Sequence, residues 1–243
     1  MPHPRCLRRS RRLRLRRARE PGFTLIELAI SLFIIALLAV ALIPPIASQV
    51  TQSRLAQARS DLDQINESLI GFALAQAKPR LPCPDTTGDG IEDPCPNTNT
   101  TETTGGNIPW ATLNVPATDP WGQRYQYRVN NAYTNSVAGF TLTTVPTGAA
   151  CNPPGGAGGF IKVCADAACT SILANGVPAI LFTRGPNGAA APTSADELEN
   201  IDADCLFINR TYSTGVGSEF DDLVIWVSPS ILISRMVTAQ KLP

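Results

Sequence analysis

Apolar and polar positions alternate in three different ways along the 243-residue chain. From Phe23 to Ile43 the apolar residues are almost continuous, and a helix of these 21 residues, at about 1.5 Å each, spans roughly 30 Å. Past Pro44 and Pro45 the period becomes helical. Leu55, Ala58, Leu62, Ile65, Leu69 and Phe72 recur at steps of three and four, with Asp61, Asp63, Gln64 and Glu67 between them. That spacing predicts an amphipathic helix over 48–78, laid on a core or wound in a coiled coil, and stopped by Pro79, Pro82 and Pro84. Residues 79–107 carry few apolar positions and read as a long loop. From 108 onward short β-rich runs alternate with Gly, Pro and Asn. They predict strands near Tyr125–Val129, Phe140–Val145, Phe160–Val163, Ala179–Thr183, Leu206–Asn209 and Leu223–Val227. Ser228 and Pro229 then open a short terminal helix as N-cap and first residue. The expected class is α+β, a long N-terminal helix packed on one antiparallel sheet.

Charge changes the picture at the N-terminus. Arg5, Arg8, Arg9, Arg11, Arg12, Arg14, Arg16, Arg17 and Arg19 precede the apolar run, against a single acid, Glu20. The formal net charge of zero thus hides a basic leader and a remainder in which eleven basic residues face nineteen acidic ones. Nucleic acid is not an expected partner of so acidic a body, although the leader alone has the composition of a nucleic-acid-binding tail. A basic flank before an apolar run instead reads as a targeting element whose positive side stays cytoplasmic. A secretory signal cut after Ala47 is the alternative to an anchor retained over 23–47.

Glu27 fits neither a plain anchor nor a plain signal. A carboxylate inside a membrane helix costs on the order of 2 to 3 kcal/mol unless it finds a partner. A cut between Gly22 and Phe23 would create one, the new α-amine, on the same or a neighbouring molecule.

GFTLIE, preceded by the basic leader and followed by about twenty apolar residues, resembles the class III signal of type IV prepilins and type II secretion pseudopilins. The resemblance implies that 1–22 is a leader removed by a prepilin peptidase after Gly22, that Phe23 becomes the methylated N-terminus, and that Glu27 pairs with the amine of an adjacent subunit during assembly. It further implies a single-pass inner-membrane protein with a periplasmic globular domain. Its partners would be other pilin or pseudopilin subunits and the inner-membrane assembly platform, with the filament or cell surface as its destination. Pro44 stands where many pilins bend this helix, and the doubled Pro44-Pro45 predicts a local melt. DPWGQRYQY, Asp119 to Tyr127, resembles the turn and strand of the major type II secretion pseudopilin, with Trp121 expected to cap the core. The longer domain and extra cysteines depart from that subunit.

Candidate chemistry is confined to acids and cysteines. Asp85, Thr87, Asp89, Gly90 and Asp93 occupy the first, third, fifth, sixth and ninth positions of a calcium loop, with Ile91 placed to offer a carbonyl. Pro96 stands where such a loop carries its bidentate Glu, so a solvated Asp/Gly turn is the competing interpretation. LFTRGPNGAAAPTSADELENIDAD resembles the strand and calcium loop of the same pseudopilin. Glu199, Asp202, Asp204 and Asp222 are a second candidate cation set there, beside Glu197 and Asp221, and an acidic surface loop is the alternative. Cys6 leaves with the leader. Cys83, Cys95, Cys151, Cys164, Cys169 and Cys205 form an even set that argues for disulfides in an exported domain. Cys83 and Cys95 are a local pair, and CADAAC could alternatively ligate a metal. The only histidine, His3, lies in the leader, which removes Ser-His and Cys-His nucleophile pairs and makes an enzyme the weaker hypothesis. A membrane-anchored periplasmic binding protein is the other alternative.

Overall fold

The computed structural model describes residues 22–95, 103–144, 160–202, 204–215 and 217–242, and within the first helix it leaves out the side chains of 40–48. The basic leader, Cys6, Cys151, Pro96 and Val145 therefore lie outside the described residues. The chain divides into two compact units, one ending at Gln49 and one beginning at Val50.

Helix α1, Leu25–Ala75, continues through Pro44-Pro45 rather than melting there. Proline fixes φ near a helical value, so the turn is kept at the cost of two backbone donors and of each ring's crowding of the carbonyl four residues back. Every described side chain from Gly22 to Ala39 is exposed. Among the described residues no helix is long and apolar enough to cross a membrane; the segment expected to do so, 23–47, includes side chains outside the description.

In the second unit the predicted stripe of α1 is buried at Ala58, Leu62, Ile65 and Leu69, joined by Ile70 and Ala73. Leu55 and Phe72 sit at its half-buried margin. The stripe packs against a four-stranded antiparallel sheet ordered β1 (Thr103–Asn107), β2 (Gln126–Asn130), β5 (Ala179–Thr183) and β7 (Leu223–Trp226). A second sheet of three strands, β4 (Ile172–Val177), β3 (Ile161–Cys164) and β6 (Leu206–Ile208), covers the other face. Strand β5 is buried at all five positions because it is central in the first sheet and covered on both faces. Ala179 and Leu181 join the core with α1, and Ile180 and Phe182 meet Ile161, Val163 and Phe207. A continuous apolar strand is the sequence form of that environment. The remaining helices are short: α2 (Trp110–Leu113), α3 (Ala195–Ile201) and α4 (Pro229–Thr238). α4 has Ser228 as N-cap and Pro229 at its start, and docks through Leu232 and Met236.

Four expectations are corrected. The α+β class holds, with the helix on an antiparallel sheet, but three of the strands form a second sheet behind it, in which β3 pairs with β6 in parallel. Strand β1, TTGGN, lies within the segment read as loop. It lacks a side-chain signal, but Gly106 admits the Asp85 carbonyl, which an added Cβ would meet at 2.8 Å. Strand β4 was also not predicted, being an edge strand with Ile172 and Leu173 exposed. Phe140–Thr144 is not a strand. Phe140 is buried against Tyr133 with ring centroids 5.5 Å apart, and Thr144 turns the chain by accepting from Thr141 N–H at 2.8 Å, the local bonding by which threonine competes with a ladder.

The DPWG turn owes its form to Asp119 more than to Trp121, which is half-buried and outside the apolar cluster that takes Trp110. Asp119 Oδ1 accepts from the N–H groups of Trp121 and Gln123, each at 2.9 Å. Its Oδ2 accepts from the Thr183 hydroxyl, tying the turn to β5.

Candidate functional sites

The processing signal occupies the entry to α1. Gly22, Phe23 and Thr24 are non-helical and the helix begins at Leu25. Thr24 is the cap: its carbonyl accepts from Leu28 N–H at 3.1 Å, and its Oγ1 accepts from Glu27 N–H at 3.3 Å. Glu27 Oε2 in turn accepts from Thr24 N–H at 3.4 Å and from its hydroxyl at 3.3 Å. Thr24-Leu25-Ile26-Glu27 is thus a reciprocal capping box. Its Thr-x-x-Glu signature is legible in the sequence, and it gives Glu27 a partner besides the expected α-amine. Around it the helix is apolar on every side. Leu32, Phe33, Ile34 and Ile35 are consecutive, sweep the circumference at about 100° each, and are all exposed.

The cysteines do structural work where they are described. Cys83 is bridged to Cys95 and Cys164 to Cys169, with Cα separations of 5.7 and 5.1 Å, and Cys205 is also disulfide-bonded. CADAAC is therefore a bridged loop and not a pair of free thiolates.

The first calcium candidate does not converge. Asp85 Oδ1 and Oδ2 accept from Gly88 and Gly90 N–H at 2.6 and 3.0 Å. Asp89 accepts from Ile91 N–H at 2.9 Å, and Asp93 Oδ2 from Thr86 and Thr87 N–H at 2.6 and 2.9 Å. Asp85, Thr87, Asp89, Ile91 and Asp93 thus form an Asp/Gly turn whose described carboxylate contacts are local N–H and hydroxyl donors. Gly90 is fixed by its φ of +86° and by the indole of Trp110, 2.4 Å from where a Cβ would stand.

Two other carboxylate groups do converge, each with ligand oxygens within 4.8 Å of one another: Glu199, Asp202 and Asp204, and separately Glu197, Asp221 and Asp222. The sequence set is therefore split, Asp222 going with two acids outside it. Helix α3 makes the division. Ser194 caps it by accepting from Glu197 N–H at 3.2 Å, which turns Glu197 inward while Glu199 lies beside Asp202 and Asp204. Glu197, Asp221 and Asp222 are 1, 9 and 5 % exposed, and their described partners are mostly neutral. Asn187 side-chain N–H reaches Glu197 at 3.3 Å, and Asn200 donates to Asp222 Oδ2 at 2.7 Å. Asp221 Oδ1 and, in the other group, Glu199 Oε1 and Asp204 Oδ2 are buried without a hydrogen-bond partner. Burial pushes Asp222 up to about 7, against the Asn200 hydrogen bond, with Glu197 and Asp221 adding to the rise. Burial likewise raises Asp221 to about 6. Glu199 rises to about 7 by burial and the charges of Asp204 and Asp202. Arg128 lies near the second group, its field reaching Asp204 and Asp202. A cleft of about 250 Å³ lined by Asn187, Tyr212, Ser213, Thr214, Glu219 and Asp221 opens beside the first.

Residues 17–43 match the family model described as the prokaryotic N-terminal methylation motif. This is the class III signal of type IV pilin-like proteins, and the chain carries it at the entry to α1. No curated protein and no solved structure matches the chain.

Proposed function

We propose that this pilin-like precursor is a structural subunit of a type IV pilus-like or type II secretion filament. The observation that carries the reading is an all-round apolar helix with one carboxylate in its first turn. A helix apolar on every side is at rest only when surrounded by lipid or by other helices, and each large side chain so covered is worth roughly 1.5 to 3 kcal/mol. A bilayer before assembly and neighbouring subunits after it both meet that demand. A prepilin peptidase cuts after Gly22, leaving a methylated amine on Phe23. That positive charge stands at the positive end of the helix dipole, where a carboxylate is favoured and a cation is not. Glu27 of an adjacent subunit compensates it, and extraction from the inner membrane by the assembly platform is coupled to finding that partner. The unit from Val50 stands in the periplasm, held by its disulfides. The role is structural and not catalytic. The intact mass of the protein from its native membrane tests this: a chain beginning at Phe23 and one methyl heavier is expected, and an uncut chain or one cut after Ala47 overturns it.

A second function is supported by the orphaned Asp221 Oδ1. We infer that Glu197, Asp221 and Asp222 hold a divalent cation, calcium by their hard oxygen chemistry. Three buried carboxylates with amide partners fit such an ion, which would supply the charge they lack and lock the β5–β7 connection. The Glu199, Asp202 and Asp204 group also has unpartnered oxygens, at Glu199 and Asp204, and is favoured less because the field of the Arg128 guanidinium already reaches Asp204 and Asp202.

A further inference from the structure

We propose that Thr24 is a positioning residue for leader removal: by capping α1 it holds the Gly22–Phe23 peptide outside the helix, in the form a peptidase can take. The inference rests on the filament-subunit reading and concerns the step before assembly. Hydrolysis adds water across that amide. The carbon–nitrogen bond breaks, the water oxygen stays on the Gly22 carboxylate, and a proton goes to the Phe23 amine. The reacting carbonyl must be reachable, whereas a helix encloses its carbonyls in backbone hydrogen bonds.

In the structure the helix stops just short of this bond. The first helical bond ends on the Thr24 carbonyl, Phe23 is 80 % exposed, and among the described residues nothing lies within 4 Å of where a Gly22 Cβ would stand. Upstream sequence does not by itself impose the stop: Gly22 weakens a helix by only about 1 kcal/mol. Pro21 lacks only a donor that a first helical residue does not need, and its fixed φ suits a first turn. Phe23 has no side-chain acceptor for a cap. What halts the helix at Leu25 is the reciprocal pair, Thr24 Oγ1 taking Glu27 N–H and Glu27 Oε2 taking Thr24 N–H. The cut falls one residue before the cap, so the cap survives it and the new amine emerges next to an intact helix start. Glu27 would accordingly serve twice, within its own subunit before the cut and toward a neighbour after it.

The test is the initial rate of leader release from the full chain in membranes with a prepilin peptidase, read by mass. Thr24→Val keeps the shape of threonine and removes the cap; Thr24→Ser and Thr24→Asn change the shape and keep it. Val is expected to slow release about fivefold, the population shift that loss of an ordinary N-cap produces, with Ser and Asn near the wild-type rate and the melting temperature of all three unchanged. Release from the Val variant at the wild-type rate overturns the proposal. So does slowing in all three variants, because the peptidase would then be reading threonine itself. A wild-type chain not cut at Gly22–Phe23 refutes the filament-subunit reading instead, which separates the two failures.

Discussion

The unit ending at Gln49 and the unit beginning at Val50 obey opposite rules. The first exposes its described apolar side chains and has one polar arrangement of consequence, the Thr24–Glu27 box. The second buries its apolar residues around two faces of one sheet and engages most of its buried polar groups, Asp119 and Asn200 among them. One region leaves its apolar surface uncovered; the other, among the described residues, leaves buried polar side-chain atoms without a hydrogen-bond partner only at Asn66, Glu199, Asp204, Arg210 and Asp221. The difference teaches where to look for function. An unmet demand, apolar in the helix and anionic in the domain, points to what each region binds.

The sharpest way to break the comparison is Glu27→Ala. Filament incorporation is expected to be lost while the melting temperature of the second unit stays unchanged, and normal incorporation would show the carboxylate to be only a cap. Leu62→Ala is the converse. Its side chain is fully buried in the core between α1 and the sheet, so denaturant unfolding should show a loss of about 2 to 5 kcal/mol. Leader cleavage should be unaffected. Replacing Cys83 and Cys95 together by Ser removes a bridge spanning 12 positions and should cost about 3 kcal/mol by chain entropy, seen as a lower urea midpoint.

The smallest effect is the most specific. Asp222 and Asp221 have folded pKa values of about 7 and about 6, above their ordinary 3.8, so the folded state binds more protons than the unfolded one across that interval. In chelator, the contribution of these two groups to stability is therefore fullest below about pH 4 and is lost as the pH rises through 6 and 7. Calcium should reverse the fall, by about 2.7 kcal/mol at a hundredfold excess over its dissociation constant. Thermal melts at pH 5 and 7.5 check this. Asp221→Asn should abolish the calcium response and Asp89→Asn should leave it intact.

Local chemistry was legible wherever neighbours in the chain make the structure. The amphipathic stripe of α1, the buried run of β5, the α4 start and the Cys83–Cys95 pair follow from spacing, and the methylation motif over 17–43 was legible through the resemblance of GFTLIE. Strand β1 was not legible, because a Thr and Gly segment becomes a strand only when β2 lends its hydrogen-bonding edge. The same holds for the parallel β3–β6 pairing, which depends on where two distant segments land. Among the acids, closeness in the chain and closeness in space differ. Asp85, Asp89 and Asp93 are close in the chain but spend their oxygens on their own turn, whereas Glu197 and Asp221 are 24 residues apart and meet within hydrogen-bonding distance, Glu197 Oε1 accepting from Asp221 N–H. The sequence by itself determined the helix, its apolar surface and its cleavage signal, because these depend on periodicity and on residues within one helical turn. Only the tertiary structure decided which carboxylates come together, because a buried charge cluster is made by the packing of α3 beside β6 and the residues that lead into β7 and not by any spacing along the chain.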